Sequence, residues 1–326
     1  MTIRLFLDSG APSLYNKIFR SGNIKAVLGT HFKDRKHDDF SHLESPGFEE
    51  YFKAYINFIK EHEHLLDVYC NLDIMQNAEA SWKNQERMEA EGLKPLPVFH
   101  LGEDLKWLKM YVEKYDYVAI GGVSPNPTRT TIPLLDAIWE DIICDPEGMP
   151  KVKIHGFAVT APKLLFRYPW YSVDSTSWLK HGRNGNIFMP KKRNGEYVYD
   201  EYPISIPISS RSPFANSKGK HFQTISKKEQ EEIIAYISQY DVKLGKSHFK
   251  HVDKNYKLEE NEKFWQGKFS KDGKKTVEVI EEWGVSTYYV YRDIINIIFF
   301  KTIEEMLPEW PWAFKPPRTE RLRKII

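Results

Sequence analysis

The chain has 326 residues, with 47 Lys and Arg against 45 Asp and Glu and a formal net charge of +2. That balance excludes a global basic field for polyanion capture, so any nucleic-acid site has to be a local patch. Two cysteines, Cys70 and Cys144, are too few for a disulfide framework or a four-ligand zinc site. Without a signal peptide or a membrane-length apolar run, the sequence predicts a soluble, cytoplasmic protein with no membrane partner.

Residues 3–7 read as a short apolar strand running into Asp8-Ser9-Gly10, and residues 24–29 as a second, doubtful one. His31, His37 and His42 lie in a polar stretch and read as solvated surface rather than metal ligands. Phe48, Phe52, Ile56 and Ile59 recur at helical spacing and predict a helix over 48–64. A strand over 65–72 ends at Asp73. A helix over 78–91 closes at Gly92, and the strand 97–100 leads into a helix over 105–114. The strand 117–120 ends in Gly121-Gly122. A helix over 133–144 follows, then a strand over 153–158 and another that ends at Val173-Asp174-Ser175.

Strand and helix alternate throughout, which implies a parallel sheet and predicts an α/β fold, a (β/α)8 TIM-like barrel with an extension. Six firm strands leave barrel closure open, and a doubly wound open sheet is the alternative. The absence of G-x-G-x-x-G after the first strand counts against a dinucleotide fold. Beyond Trp178 the character changes. Residues 181–212 alternate like hairpins. Ser226 and Glu229 form a capping box that starts a helix over 226–240. Residues 243–275 read as loop. Residues 288–307 read as a helix apolar enough to be packed on both sides, and residues 318–324 form a basic tail. Two domains are expected, a barrel with its hairpin over 1–212 and an α-rich part over 213–326 that packs on or completes it.

Two carboxylates stand at strand ends. Asp174 reads either as the cap of the next helix, with Ser175 and Thr176, or as a catalytic group presented by a barrel strand. Asp8 reads as a turn residue or as its partner. Phe157, Tyr168, Trp170 and Trp178 could stack on a planar ligand or simply fill a core. Lys180, Arg183, Lys191, Lys192 and Arg193 form the densest basic run, either a backbone-phosphate contact or a solvated hairpin.

Taken together, Asp8-Ser9-Gly10, Asp73, Pro97-Val-Phe-His-Leu-Gly102, Ala119-Ile-Gly-Gly122, the segment HGFAVTAP from His155 and Val173-Asp-Ser175 follow the order found in tRNA-guanine transglycosylases. The hairpin segment after Asp174 also resembles that family, so the likeness spans residues 8 to 208. One departure is clear. The tRNA-acting members carry a Cys-rich zinc site after the hairpin, and here residues 204–212 contain no cysteine, so no metal is expected. A zinc-free relative is similar to the 7-deazaguanine DNA transglycosylases of phages and some bacteria.

The resemblance implies exchange of guanine in DNA for a 7-deazaguanine, with Asp174 as nucleophile on C1′ and Asp8 as general acid/base. It also implies a base pocket formed by Ser9, Asp73, His100, Gly121, Gly122 and Phe157. Asp73 would accept hydrogen bonds from the guanine edge, and His100 stands where the family usually has Gln. The partners implied are double-stranded DNA with its target base flipped out and the free 7-deazaguanine base. No cofactor is implied. The alternatives are a zinc-less tRNA enzyme, a non-catalytic nucleic-acid-binding subunit and a sugar-active barrel hydrolase with two carboxylates. The segment 121–127 lacks the acidic residue that bacterial tRNA enzymes use against an aminomethyl cation. A neutral base such as the cyano-bearing preQ0 is therefore expected.

Overall fold

The computed structural model describes residues 5–8, 46–123, 128–212, 218–269 and 273–315. The segments 24–29, 31–42 and 318–324 and the residue Ser9, singled out above, lie outside them. The chain divides into two compact units. One comprises Met1–Val159, Arg167–Asp174 and Glu309–Ile326; the other comprises Thr160–Phe166 and Ser175–Pro308. The main division thus falls directly after Asp174, earlier than the expected 212, and the hairpin groups with the later residues.

The first unit is an α/β repeat. Its strands are β1 (Phe6–Leu7), β2 (Val68–Tyr69), β3 (Val98–His100), β4 (Tyr117–Gly121), β5 (Lys153–Gly156) and β6 (Ser172–Val173). All pair in parallel and in chain order: β1 with β2, and β3 through β6 as one sheet. A parallel bridge between Cys70 and Leu96 joins β2 to β3. The helices between them are α1 (Pro46–His62), α2 (Ala78–Ala90), α3 (Leu105–Lys114) and α4 (Thr128–Ile138).

The sheet curves strongly. Neighbouring strands lie about 4.8 Å apart, so on a flat sheet β1 and β5 would be separated by roughly 19 Å. Yet the Phe6 ring stacks on His155 with 4.4 Å between centroids. A closed barrel is not seen among the described residues; the unit is a curved parallel sheet covered by helices.

Local chemistry explains these elements. Helix α1 buries Phe48, Phe52, Tyr55, Ile56 and Ile59 on one stripe, against Leu72, Met88 and Leu93. Asn77 caps α2 by accepting the Ala80 N–H, and Asp104 caps α3 at Lys106. Helix α4 begins at Thr128, before the expected Pro133, and a π-helical turn, Trp139–Ile143, extends it with Trp139, Ile142 and Ile143 buried. The residues Thr128–Thr131 supply a polar first turn that carries no apolar periodicity, which is why the expected start was late.

The second unit holds α5 (Pro162–Leu165), α6 (Ser177–Arg183), β7 (Asn186–Met189), β8 (Lys191–Arg193), β9 (Glu196–Val198), β10 (Ile204–Pro207) and α7 (Lys227–Ser238). It continues with β11 (Lys246–Val252), β12 (Glu262–Phe269), β13 (Lys275–Glu282) and α8 (Tyr289–Met306). The hairpins are present: β7 pairs with β10, and β8 with β9. The β8–β9 turn has Asn194 and Gly195 both at positive φ, the geometry a two-residue hairpin favours. The capping box at Ser226 and Glu229 is also present.

Two expectations are corrected here. Residues 243–275 are not loop but most of a three-stranded antiparallel sheet ordered β11–β13–β12. Its charged side chains pair across strands, His248 and Lys246 with Glu281 and Lys250 with Glu262. This cross-strand pairing hides the apolar alternation that announces a strand. Helix α8 is not packed on both sides either. Arg292, Asp293, Ile295, Asn296, Phe299 and Ile303 are buried, whereas Ile294, Ile297 and Met306 are exposed. Polar groups supply part of its inner face and apolar ones part of its outer face, so hydropathy alone suggested packing on both sides.

Candidate active site

Parallel pairing aligns the strand ends of the first unit. His100 is opposite Gly121, Ile120 opposite Gly156 and Gly156 opposite Val173. Three further bonds continue the ladder by one residue. Leu101 donates to Gly121, Phe157 to Ile120 and Asp174 to Gly156. His100, Gly121, Phe157 and Asp174 therefore form one row across four strand ends. Alternation along each strand puts His155 and Ser172 on the same face as Asp174.

Asp174 does not cap the following helix. Thr176 occupies the N-cap position of α6 without a side-chain cap bond. The Asp174 carboxylate instead accepts the Ala158 N–H at 3.0 Å and stands 3.6 Å from His155 Nε2. Ala158 has φ +56, a left-handed conformation that costs a non-glycine residue about 1 kcal/mol. That turn aims its N–H at the carboxylate. Burial would raise the Asp174 pKa, but the His155 and Ala158 contacts outweigh it and hold the carboxyl below its ordinary value. The side chain remains 51% exposed, so an ionised carboxylate is open to a ligand.

Behind Asp174 lies a polar chain that sequence reasoning missed. The Ser172 hydroxyl is 2.7 Å from His155 Nδ1 and 2.6 Å from the Tyr117 hydroxyl. Burial pushes Tyr117 up to about 12, so it stays protonated at neutral pH. With Tyr117 donating to Ser172 and Ser172 to Nδ1, the imidazole proton sits on Nε2 and faces Asp174. His155 is 2% exposed, and at 3.6 Å its Nε2 lies beyond ordinary hydrogen-bond length. The signal in the sequence was the histidine two residues before Phe157, on the strand beside that of Asp174.

The second cluster surrounds Asp73. Helix α2 fixes the loop that carries it: Ser81 Oγ accepts the Ile74 N–H and Asn84 donates to the Leu72 carbonyl. Expected to read a base edge independently, Asp73 and His100 in fact pair with each other, Nε2 to Oδ2 at 2.7 Å. Glu103, also missed, accepts the His100 backbone N–H at 3.0 Å. Burial works against the His100 cation, but Asp73 and Glu103 outweigh it and raise the imidazole above its ordinary value. Burial raises the Glu103 carboxyl as well. Gly121 serves this pair: a Cβ there would lie 2.7 Å from His100 Nδ1. Its missing side chain makes room for the imidazole rather than directly for a base. Gly122 adopts φ +76, a turn that suits glycine.

Asp8 ends β1 exposed to solvent. Burial raises the Cys70 thiol well above its ordinary value, and the charges of Asp73, Asp8 and Asp174 raise it further. The charges of three strand-end carboxylates thus reach one buried thiol. Phe157 packs edge-on against His155 and Phe6 on the same sheet face. Tyr168 and Trp170, by contrast, are buried against Trp139, which settles them as core. Trp178 lies in α6 of the second unit, where its carbonyl accepts from Asn296.

The basic run belongs to the second unit. Lys191 and Arg193 both pair with Glu201, and Lys192 lies over the Tyr197 ring. Lys180 and Arg183 are exposed on α6. Among the described residues, no three His, Cys, Asp or Glu side chains gather as a metal site, and no helix is long and apolar enough to cross a membrane. No family model, curated protein or solved structure matches this chain.

Proposed function

We propose that the chain exchanges guanine in DNA for a 7-deazaguanine through a covalent aspartyl-sugar intermediate, and that its curved sheet is part of a (β/α)8 barrel. One observation carries the reading: Asp174 is an exposed, ionised carboxylate at a parallel strand end, with Asp8 and Asp73 at the same end of the sheet. The order of motifs along the chain supports base exchange, and the absence of the Cys-rich segment favours DNA over tRNA.

In the first step an Asp174 oxygen bonds to C1′ as the C1′–N9 bond breaks. The bonding pair leaves with guanine, which takes a proton from Asp8. In the second step the incoming base gives its N9 proton to Asp8 and attacks C1′. The Asp174–C1′ bond breaks, returning the carboxylate and leaving Asp8 protonated. His155, with its proton on Nε2, orients Asp174 and stabilises the carboxylate when it is released. Asp73 accepts hydrogen bonds from the guanine edge, with His100 paired beside it. Phe157 lines the strand-end row next to the nucleophile.

The test is an adduct. Wild-type protein incubated with guanine-containing DNA, with no incoming base, is expected to gain the mass of the strand. Asp174→Ala is expected to gain none while retaining its circular dichroism spectrum. An equal adduct in the variant removes Asp174 from the role. Exchange of labelled guanine into tRNA but not into duplex DNA would reassign the substrate.

A further inference from the structure

The second unit contains a pocket of about 670 Å3, a volume that suits a ligand the size of one nucleotide. Its lining includes Arg183, Arg211 and Arg292, together with Ser209, Trp265 and Tyr289. Three guanidiniums around one cavity is an unusual expenditure of charge in a chain whose net charge is only +2.

The arginines are held in place chiefly by neutral groups. Arg292, 6% exposed, donates from Nε to the Gly182 carbonyl and from Nη1 to the Val285 carbonyl, both at 2.6 Å. Arg211 donates to the Phe264 carbonyl at 2.6 Å, and its Nε stands 3.8 Å from Glu278. Glu278 in turn accepts the hydroxyls of Ser210 and Ser247. Arg183 is exposed on the last turn of α6. Carbonyl partners hold Arg292 and Arg211, and Glu278 is the carboxylate that faces Arg211.

The electrostatics agree with that geometry. Burial lowers Arg292 to about 10, opposed by Asp293 and Glu278 and assisted by Arg211. Burial also lowers Lys263, whose ammonium lies over the Trp283 and Tyr288 rings, with Arg211 and Arg292 adding to the effect. Burial raises the Asp293 carboxyl above its ordinary value, opposed by the charges of Arg292 and Arg183. Buried Arg292 and partly buried Arg211, with exposed Arg183 in the same lining, form a site that an incoming anion stabilises. Guanidinium forks match the paired oxygens of a phosphate, and the aromatic walls match a planar ring beside it.

We propose that this pocket binds a phosphodiester of a nucleic-acid strand, with an adjoining unpaired base against Trp265. The preference for a strand over a free nucleotide rests on the exchange reading above; the anion site itself rests on the arginines.

Fluorescence anisotropy of a labelled short oligodeoxynucleotide at fixed salt tests it. Arg183→Gln, a surface change, is expected to weaken binding roughly tenfold and to reduce the salt slope by about 0.7. Trp265→Leu is expected to weaken binding of the normal strand roughly tenfold but to leave an abasic strand of equal length unaffected. Arg211→Gln should follow Arg183→Gln, with Arg211→Lys as the variant that keeps the charge should Gln unfold the protein. Wild-type affinity in both Arg183→Gln and Trp265→Leu overturns the site. A mononucleotide bound as tightly as the strand overturns the assignment to a strand.

The two readings fail separately. Strand binding lost in these variants, with no Asp174 adduct in the wild type, leaves the pocket standing and removes the exchange activity. An adduct in the wild type, with variants that bind and react as it does, does the reverse.

Discussion

Asp8→Asn separates proton transfer from binding, because Asn keeps the shape of the side chain but cannot carry a proton. Turnover is expected to fall roughly 10²- to 10⁴-fold, with DNA affinity nearly unchanged. A loss below about tenfold returns Asp8 to the role of turn residue. The incoming base is a second residue-scale question. A buried aminomethyl cation without a partner costs several kcal/mol, so neutral preQ0 is expected to outcompete the aminomethyl base for incorporation. Glu103 is the one carboxyl beside His100 that sequence reasoning did not place, and burial favours its neutral form. Equal use of the aminomethyl base that disappears in Glu103→Gln would make Glu103 its partner and overturn the preference. Strand-end carboxylates were legible because strand, turn and acid follow one another in the chain. The chain Tyr117–Ser172–His155 was not, since its members come from three strands and meet only through sheet register.

At the scale of elements, the ends of β2 and β3 are joined by the Asp73–His100 pair, whose histidine is raised above its ordinary value. Its folded pKa is raised, so its stabilisation is complete below the unfolded value of about 6.5 and is lost as pH rises through the higher folded value. Thermal melts of wild type and His100→Gln across that interval should therefore converge as pH rises. A constant difference would exclude the pair as the source. Helices α1 and α3 and the strands β3 and β4 could be read almost residue by residue, because a single apolar stripe or run decides each. Sheet β11–β13 and helix α8 could not. In the sheet, paired charges replace apolar alternation. In α8, Asn296 sits inside to accept the Phe188 N–H and donate to the Trp178 carbonyl, while Ile294 and Ile297 remain outside.

At the scale of the whole molecule, the first unit is made from three separated stretches of chain. Its last stretch returns through Trp310, which donates to the Pro169 carbonyl, and Phe314, whose ring packs on Trp139 and Tyr168. Phe314 is 4% exposed. Phe314→Ala is expected to cost about 3–5 kcal/mol of stability, measurable by denaturant unfolding followed through tryptophan fluorescence. A change below about 1 kcal/mol would place the segment outside the cooperative unit. The later part of the chain was expected to pack on or complete the first domain, but a short Trp-Pro-rich segment carries no period to mark which residues return.

That return has a consequence for synthesis. A ribosome delivers β1 through β6 first, then nearly the whole second unit, and only afterwards the residues that cover Trp139 and Tyr168. The second unit, apart from Thr160–Phe166, is one continuous stretch and can assemble as it emerges. The unit bearing Asp8, Asp73 and Asp174 has to wait with an aromatic face uncovered until Phe314 has left the exit tunnel. A nascent chain stalled before that point would hold every candidate catalytic residue, yet it would lack the packing that finishes their scaffold.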